Sequence, residues 1–479
     1  MFADSPQGGR TANPPDASGG RAHLLHKAKL TTATDLVTTT ADTSWLLEQV
    51  ASEPNLATAL LNVARNQGAS GVDGCSVIEV VQAAPKLLPQ LRRHLLDGSY
   101  QPGDIRRVWI PKPGGGQRGL GIPNVIDRWV QQAVLQVLDS IYEPTFHGSS
   151  HGFRSARGGH TAIAEAKTYV EAGYGVVVDI DLSKFFDRVH HQRLLDRLSH
   201  RIADRRIIDL IRRMLKARVV LPDGMRVATE EGTPQDGPLS PLLSNIVLDE
   251  FDWELQRRGL RFVRYADDCN IFVRSERAGQ RAMSSVRNFI EQRLRLLVNE
   301  EKSKVARPAE VHFLGFRLCE SRVGQVEIHI SARTKERMDA KTRELTPRTW
   351  GQSFSECVAG LNRYLNGWFG YFRICTEEGA TLFWRFDAHI RRRLRAIIVH
   401  QKKRPRYLCR HLIQRGFRKQ TAARTAYRRC GSWRRSNLPG LTQAYRNAWF
   451  HERLVSLWFE WKRLHADLPV SKQQLLFDC

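Results

Sequence analysis

Arg261-Phe262-Val263-Arg264-Tyr265-Ala266-Asp267-Asp268-Cys269-Asn270-Ile271-Phe272-Val273 decides the fold. It reads as a strand, a tight turn and a second strand, with two adjacent carboxylates at the tip. Two such charges repel each other, and a cation relieves the repulsion. Oxygen-only ligands suit magnesium. Taken alone, an Asp-Asp dipeptide is ordinary turn chemistry. A second carboxylate pair in Asp179-Ile180-Asp181-Leu182 changes that reading. It closes the buried-strand pattern Val176-Val177-Val178, and residues 179 and 181 share one face of a regular strand. Both therefore can approach the hairpin tip. Carboxylates around two magnesium ions are equipment for phosphoryl transfer. One ion lowers the pKa of an attacking 3′-hydroxyl and the other neutralises a leaving pyrophosphate.

The chain around this hairpin is 479 residues long, which implies two to four domains, and its 42% apolar content supplies a sizeable core. Its net charge of +25 and pI of about 10.2 call for a polyanionic partner, with nucleic acid first and a membrane surface second. No apolar run is long enough to span a bilayer, and residues 1–44 hold no signal-peptide core. The eight cysteines stand singly with no C-x-x-C pair, which argues against a zinc ribbon and against a secreted disulfide scaffold. The expectation is an intracellular, reduced protein.

Residues 1–44, rich in Pro, Gly, Ser and Thr, read as a flexible leader, with order starting near Trp45. Helical periodicity marks 124–139, with Asn124 as cap and Asp127 three residues on, and also 203–217 and 286–298. Gly114-Gly115-Gly116 lacks the G-K-[ST] ending of a nucleotide-binding P-loop. It reads as a hairpin tip flanked by two cations, Lys112 and Arg118. Ser240-Pro241 is a good helix start. After Ser331 acidic residues thin out. Leu361, Tyr364, Leu365, Trp368, Phe369 and Phe372 follow helical spacing, with Gly367 and Gly370 placed for close packing. Between Ala388 and His451 there are 18 Lys or Arg residues and no Asp or Glu, interleaved with aromatics such as Tyr407, Tyr427 and Trp433. Such a run is too one-sided for an ordinary solvated face. It suits phosphates and unpaired bases.

Eight motifs occur in one order: Asn66-Gln67-Gly68-Ala69-Ser70-Gly71-Val72-Asp73-Gly74, Ile110-Pro111-Lys112-Pro113-Gly114-Gly115-Gly116, His151-Gly152-Phe153-Arg154, Asp181-Leu182-Ser183-Lys184-Phe185-Phe186-Asp187, Gly232-Thr233-Pro234-Gln235, Tyr265-Ala266-Asp267-Asp268, Asn299-Glu300-Glu301-Lys302 and Phe313-Leu314-Gly315-Phe316. With them the chain resembles the group II intron-encoded proteins, bacterial reverse transcriptases and maturases, from about Trp45 nearly to its end. The variety resembled lacks a His-Asn-His endonuclease.

The resemblance implies an α+β right-hand polymerase. Fingers and palm would occupy 45–330, an all-α thumb or maturase domain 331–403, and a small basic DNA-binding region 404–479. It implies catalysis by Asp181, Asp267 and Asp268, with the Leu182 carbonyl completing the shell of two Mg²⁺ ions and Asp179 standing nearby. Lys112, Arg118, Gln235 and Lys302 would meet the nucleotide, Lys302 by protonating the pyrophosphate. Phe186 would act as a steric gate against ribose. Arg391, Arg392, Arg393 and Arg395 are expected to contact intron RNA. The implied partners are group II intron RNA, an RNA template with its DNA primer, target DNA and deoxynucleoside triphosphates, with no membrane, in a prokaryotic cytoplasm. One departure stands out: where the family usually has Gly-Gly after the Gln, this chain has Asp236-Gly237, a carboxylate near phosphates. Two other functions fit the same residues less fully. One is a splicing-only maturase with a weakened polymerase site, and the other a reverse transcriptase of another prokaryotic class.

Overall fold

The computed structural model describes residues 43–465, apart from 112–114, 322–323, 348–350, 352, 377 and 403. The expected leader lies outside them except for its last two residues. Thr43 is already tied down, since its backbone and side-chain oxygens accept from the Asp204 and Ala203 N–H groups.

The described strands are β1 (Ile105–Pro111), β2 (Gln117–Ile122), β3 (Val176–Ile180), β4 (Val219–Val220), β5 (Arg226–Val227), β6 (Arg261–Tyr265), β7 (Asp268–Val273), β8 (Lys304–Ala306), β9 (Phe316–Glu320) and β10 (Val326–Ile330). Two four-stranded sheets, β2-β1-β4-β5 and β6-β7-β3-β8, and a two-stranded β9-β10 hairpin organise the first two thirds of the chain. The second sheet, the palm, is antiparallel throughout. Its central strands β3 and β7 carry buried apolar residues on both faces because both faces are covered. Val178, Ile180, Cys269 and Ile271 join a core built with helices Glu53–Asn66, Val125–Tyr142, Arg205–Leu215 and Ser240–Arg257. Val177, Val263 and Phe272 face a second core shared with β9, β10 and the later helices.

The α+β, right-hand plan is as the sequence implies, with three local differences. Asn124 begins its helix without capping it, because its Oδ1 accepts instead from the Val72 and Asp73 N–H groups. Asp127 is likewise taken, by the Tyr100 hydroxyl and the Gly103 N–H. The helix expected over 286–298 starts earlier, at Glu276, where the Ser275 hydroxyl accepts from Ala278 N–H. It widens into a π turn over Phe289–Leu294 and stops at Arg295, whose φ is 56°. In helix Phe354–Phe372, Leu361, Leu365 and Phe369 are buried as expected, but Gly367 and Gly370 face open space rather than a close neighbour.

Ser331 caps the first thumb helix, Ala332–Leu345. Helix Glu378–Gln401 carries Asp387, which is buried and accepts from Ser456 Oγ (2.7 Å) and from the Leu457 and Trp458 N–H groups (3.1 Å each). This caps the last described helix, Leu457–Leu464, and folds it back onto the thumb. The division that the resemblance implies at 403/404 falls between helices whose buried residues share one core. Among the described residues no helix is long and apolar enough to cross a membrane.

Candidate active site

Tyr265 pairs with Asp268, so Ala266-Asp267 is a two-residue turn between β6 and β7. Ala266 has φ 56°, a left-handed conformation that costs an L-residue about 1–2 kcal/mol. The turn rests on the His151-Gly152-Phe153-Arg154 loop. A Cβ at residue 152 would lie 2.3 Å from the Ala266 nitrogen, so only glycine lets the two backbones meet. We expect Gly152→Ala to lower stability in urea unfolding by about 1–3 kcal/mol, the usual cost of overpacking. An unchanged curve would show that the turn yields freely.

β3 and β7 are in register at Ile180 and Cys269, which brings Asp181, the next residue, opposite Asp268. Asp268 is touched by solvent yet crowded by protein atoms. Its carboxyl is pushed up to about 7, first by lost hydration and then by Asp267, Asp179 and Asp181. Burial, followed by Asp181, also raises Asp267. Asp179 rises to about 6 by burial, against the pull of Lys304. Asp181 is fixed from the other side: Asn299 N–H donates to its carbonyl (2.8 Å), its own N–H donates to Ser303 Oγ (3.0 Å), and Lys302 Nζ stands 3.4 Å from Oδ2. Leu182 lies between bonds made by Asp181 and Ser183, and among the described residues its carbonyl accepts none. Among them no three acidic, His or Cys side chains are already closed into a metal cage. What the register assembles is a set of mutually repelling carboxylates, all oxygen donors, whose repulsion a hard divalent cation would relieve.

The β1–β2 hairpin comes near these carboxylates through Arg118, whose charge reaches Asp267. Lys112 lies outside the described residues. Arg118, on β2, donates through Nε to Gln235 Oε1 at 2.7 Å, so two of the expected nucleotide contacts meet. The Gly232–Gln235 loop is stitched to Phe186, the expected gate: Thr233 N–H donates to the Phe186 carbonyl (2.7 Å) and Gly232, at φ 92°, packs on that same oxygen. Phe186 is buried edge-to-face against Phe185. It lines a cleft of about 550 Å³ with Trp109, Gly121, Thr233 and Pro234. Among the described residues the Thr233 hydroxyl, buried there, has no hydrogen-bond partner. Asp236 is exposed and feels Arg118 and Arg128, although burial is the larger influence and raises its carboxyl. The carboxylate that departs from the family pattern thus stands among cations.

The arginine cluster is not where the sequence suggests. Arg391 and Arg395 are buried. Arg391 is near buried Asp387, one helical turn back, and Arg395 donates to the Tyr445 carbonyl (3.3 Å). Arg392 lies over the Trp433 ring at 4.0 Å, and Arg393 binds both oxygens of Thr346. Arg391 and Arg395 are thus taken up within the second core, whereas Arg392 and Arg393 are only partly buried. The exposed cations of the stretch are further on, among them Arg410, Arg418, Lys419, Arg424, Arg428 and Arg429, with exposed Tyr407 and Tyr427.

Sequence reasoning missed Arg264. It is fully buried beneath the turn and forms an ion pair with Asp252 at 2.6 Å. The signal was present: strand alternation puts Arg264 on the same face as core residue Phe262.

Two family models match the chain: reverse transcriptase (RNA-dependent DNA polymerase) over residues 110–318, and the group II intron maturase-specific domain over residues 335–417. Protein YkfC of Escherichia coli (strain K12) is 35% identical over 58% of this chain and 84% of its own length. Group II intron-encoded protein LtrA of Lactococcus lactis subsp. cremoris is 36% identical over 46% of this chain, a match that spans 35% of LtrA. Among solved structures, apo telomerase from Candida tropicalis is similar over 48% of this chain and 55% of its own, at 13% identity and a TM-score of 0.38.

Proposed function

Because the chain belongs to the group II intron-encoded reverse transcriptases and maturases, we propose that it copies RNA into DNA and binds a group II intron RNA to assist its splicing. The same two activities would serve intron mobility, with a nick in target DNA supplying the primer. The observation that supports the polymerase reading is the β3–β7 register, which sets Asp181 opposite Asp268, with Asp267 in the adjoining turn near enough for the carboxylates to feel one another's charge.

Asp181, Asp267, Asp268 and the Leu182 carbonyl would hold two Mg²⁺ ions, which when bound acidify the primer 3′-hydroxyl and neutralise the pyrophosphate. The protein's own groups do the rest. Lys112, Arg118 and Gln235 orient the triphosphate, and the Arg118–Gln235 hydrogen bond pre-forms part of that contact. Lys302, whose Nζ lies 3.4 Å from Asp181 Oδ2, would give a proton to the departing pyrophosphate. Phe186 closes the floor of the cleft against a 2′-hydroxyl. The exposed cationic helices after 404 are the surface for RNA and for target DNA.

The test is extension of a DNA primer annealed to an RNA template. Alkali-resistant product to the template's end is expected, and failure to extend would refute the polymerase reading. Phe186→Ala should lower discrimination against ribonucleotides by roughly 10–100-fold, the range for a small steric change in a fitted pocket. Unchanged ribonucleotide incorporation would remove Phe186 as the gate.

A further inference from the structure

We propose that Arg264 is a positioning residue that sets the metal-binding turn from beneath, its guanidinium locked on Asp252 and aimed at the Ala266 carbonyl. The proposal rests on reading Asp267 and Asp268 as metal ligands.

A guanidinium has five N–H donors in a fixed fork. All five of Arg264's are used. Nε and Nη2 grip the two Asp252 oxygens at 2.7 and 2.6 Å. Nη2 also donates to Ser150 Oγ (2.7 Å), and Nη1 to Asn245 Oδ1 (3.1 Å) and to the Ala266 carbonyl (2.9 Å). Asp252 and Asn245 lie on helix Ser240–Arg257, so four of the five bonds fix the cation to that helix and to the Ser150 loop. The fifth reaches the one left-handed residue of the turn. The main chain repeats the arrangement: Arg264 N–H donates to Ser149 O (2.9 Å) and His151 N–H to Arg264 O (2.8 Å). Asn245 Nδ2 meanwhile holds the Gly152 carbonyl at 2.9 Å, fixing the loop on which the turn rests.

A buried ion pair is a poor device for stability alone, since apolar residues of similar volume serve as well or better. Here the pair delivers a charged donor to a strained carbonyl one residue before Asp267. Without it, nothing else among the described residues bonds to that carbonyl, and the Asp267-Asp268 peptides are free to relax from the geometry two repelling carboxylates resist. Groups behind metal ligands commonly govern affinity in this way.

The experiment compares three variants of the full chain. Arg264→Lys keeps the charge but loses the fork. Asp252→Asn keeps the shape but loosens the anchor. Ser150→Ala removes one bond that does not touch the turn. Mn²⁺ binding is read by electron paramagnetic resonance, with urea unfolding and RNA-templated primer extension on the same preparations. Arg264→Lys and Asp252→Asn should weaken Mn²⁺ binding and lower kcat by about 10–100-fold, the range for removing support behind metal ligands. KM for template-primer should stay within about twofold, and Ser150→Ala, which loses one anchor and keeps the Asp252 pair, should lose less metal affinity and kcat than either. Should Arg264→Lys misfold, Asp252→Asn carries the comparison. The proposal is overturned if either folded variant binds Mn²⁺ as wild type does, or if all three variants lose activity only in step with stability. A wild-type protein that binds Mn²⁺ but extends no primer defeats the polymerase reading and leaves the metal comparison decisive for Arg264. A wild-type protein that binds no Mn²⁺ defeats both.

Discussion

Asp267→Asn will lose RNA-templated DNA synthesis by about 10³-fold or more while keeping its fold and its affinity for RNA. The substitution preserves shape and removes one ligand charge, and ligand-held metal contributes several kcal/mol of transition-state stabilisation. It should not destabilise the metal-free protein. Asp267 is held above the ordinary carboxylate range by burial and by Asp181, so its ionised form opposes folding near neutral pH. The same sign applies more strongly to Asp268, whose value moves from 3.8 to about 7. A carboxyl raised in the folded state favours folding when protonated. Metal-free wild type should therefore lose stability as pH rises from about 4 through about 7, and Asp268→Asn should lose less. Undiminished extension by Asp267→Asn would remove it from the metal site.

The second large effect separates RNA binding from synthesis. Changing Arg418, Lys419, Arg428 and Arg429 together to Gln should weaken binding to group II intron RNA and flatten its salt dependence. Each lost phosphate contact removes roughly 0.7–0.9 from the log–log slope, so four remove about 3. Extension of a short primed template at low salt should persist, because these residues lie in the helical region after 404 and the carboxylates lie on the palm sheet. The converse variant, Asp267 and Asp268 both to Ala, should bind intron RNA as wild type does. Changing Arg391 and Arg395 to Gln should act differently again, lowering stability before binding, because both side chains are buried. If the exposed-cation variant keeps both affinity and slope, the RNA surface lies elsewhere.

What the sequence could reveal follows from what its chemistry leaves ambiguous. The palm strands were legible because Val176-Val177-Val178 and Ile271-Phe272-Val273 are unbroken apolar runs, and only a covered strand tolerates that. The hairpin tip was legible through its apolar flanks and the second carboxylate strand, Asp179–Leu182, since an Asp-Asp pair alone is ordinary turn chemistry. The burial of Arg391 and Arg395 was not legible because a run without acids reports charge but not facing. Their helix turns the arginines of 391–395 toward Asp387, Thr346, Tyr445 and Trp433, which are distant in sequence or hidden by composition. Gly152 and Gly232 were recognisable within motifs, yet their reason is tertiary: each admits a backbone, that of Ala266 or of Phe186, from another part of the chain. Asn124 shows the reverse. A good cap by local rules is claimed by a loop some fifty residues earlier, since its Oδ1 meets Val72 and Asp73.

A magnesium titration of RNA-templated primer extension tests the central claim most directly. It would compare wild type with the variant carrying both Asp267→Asn and Asp268→Asn. Wild-type extension should be absent in chelator, rise with Mg²⁺ and reach a plateau, while the variant stays flat at every concentration. Full-length DNA made in chelator, or equal product from wild type and variant, would contradict a reverse transcriptase built on these carboxylates.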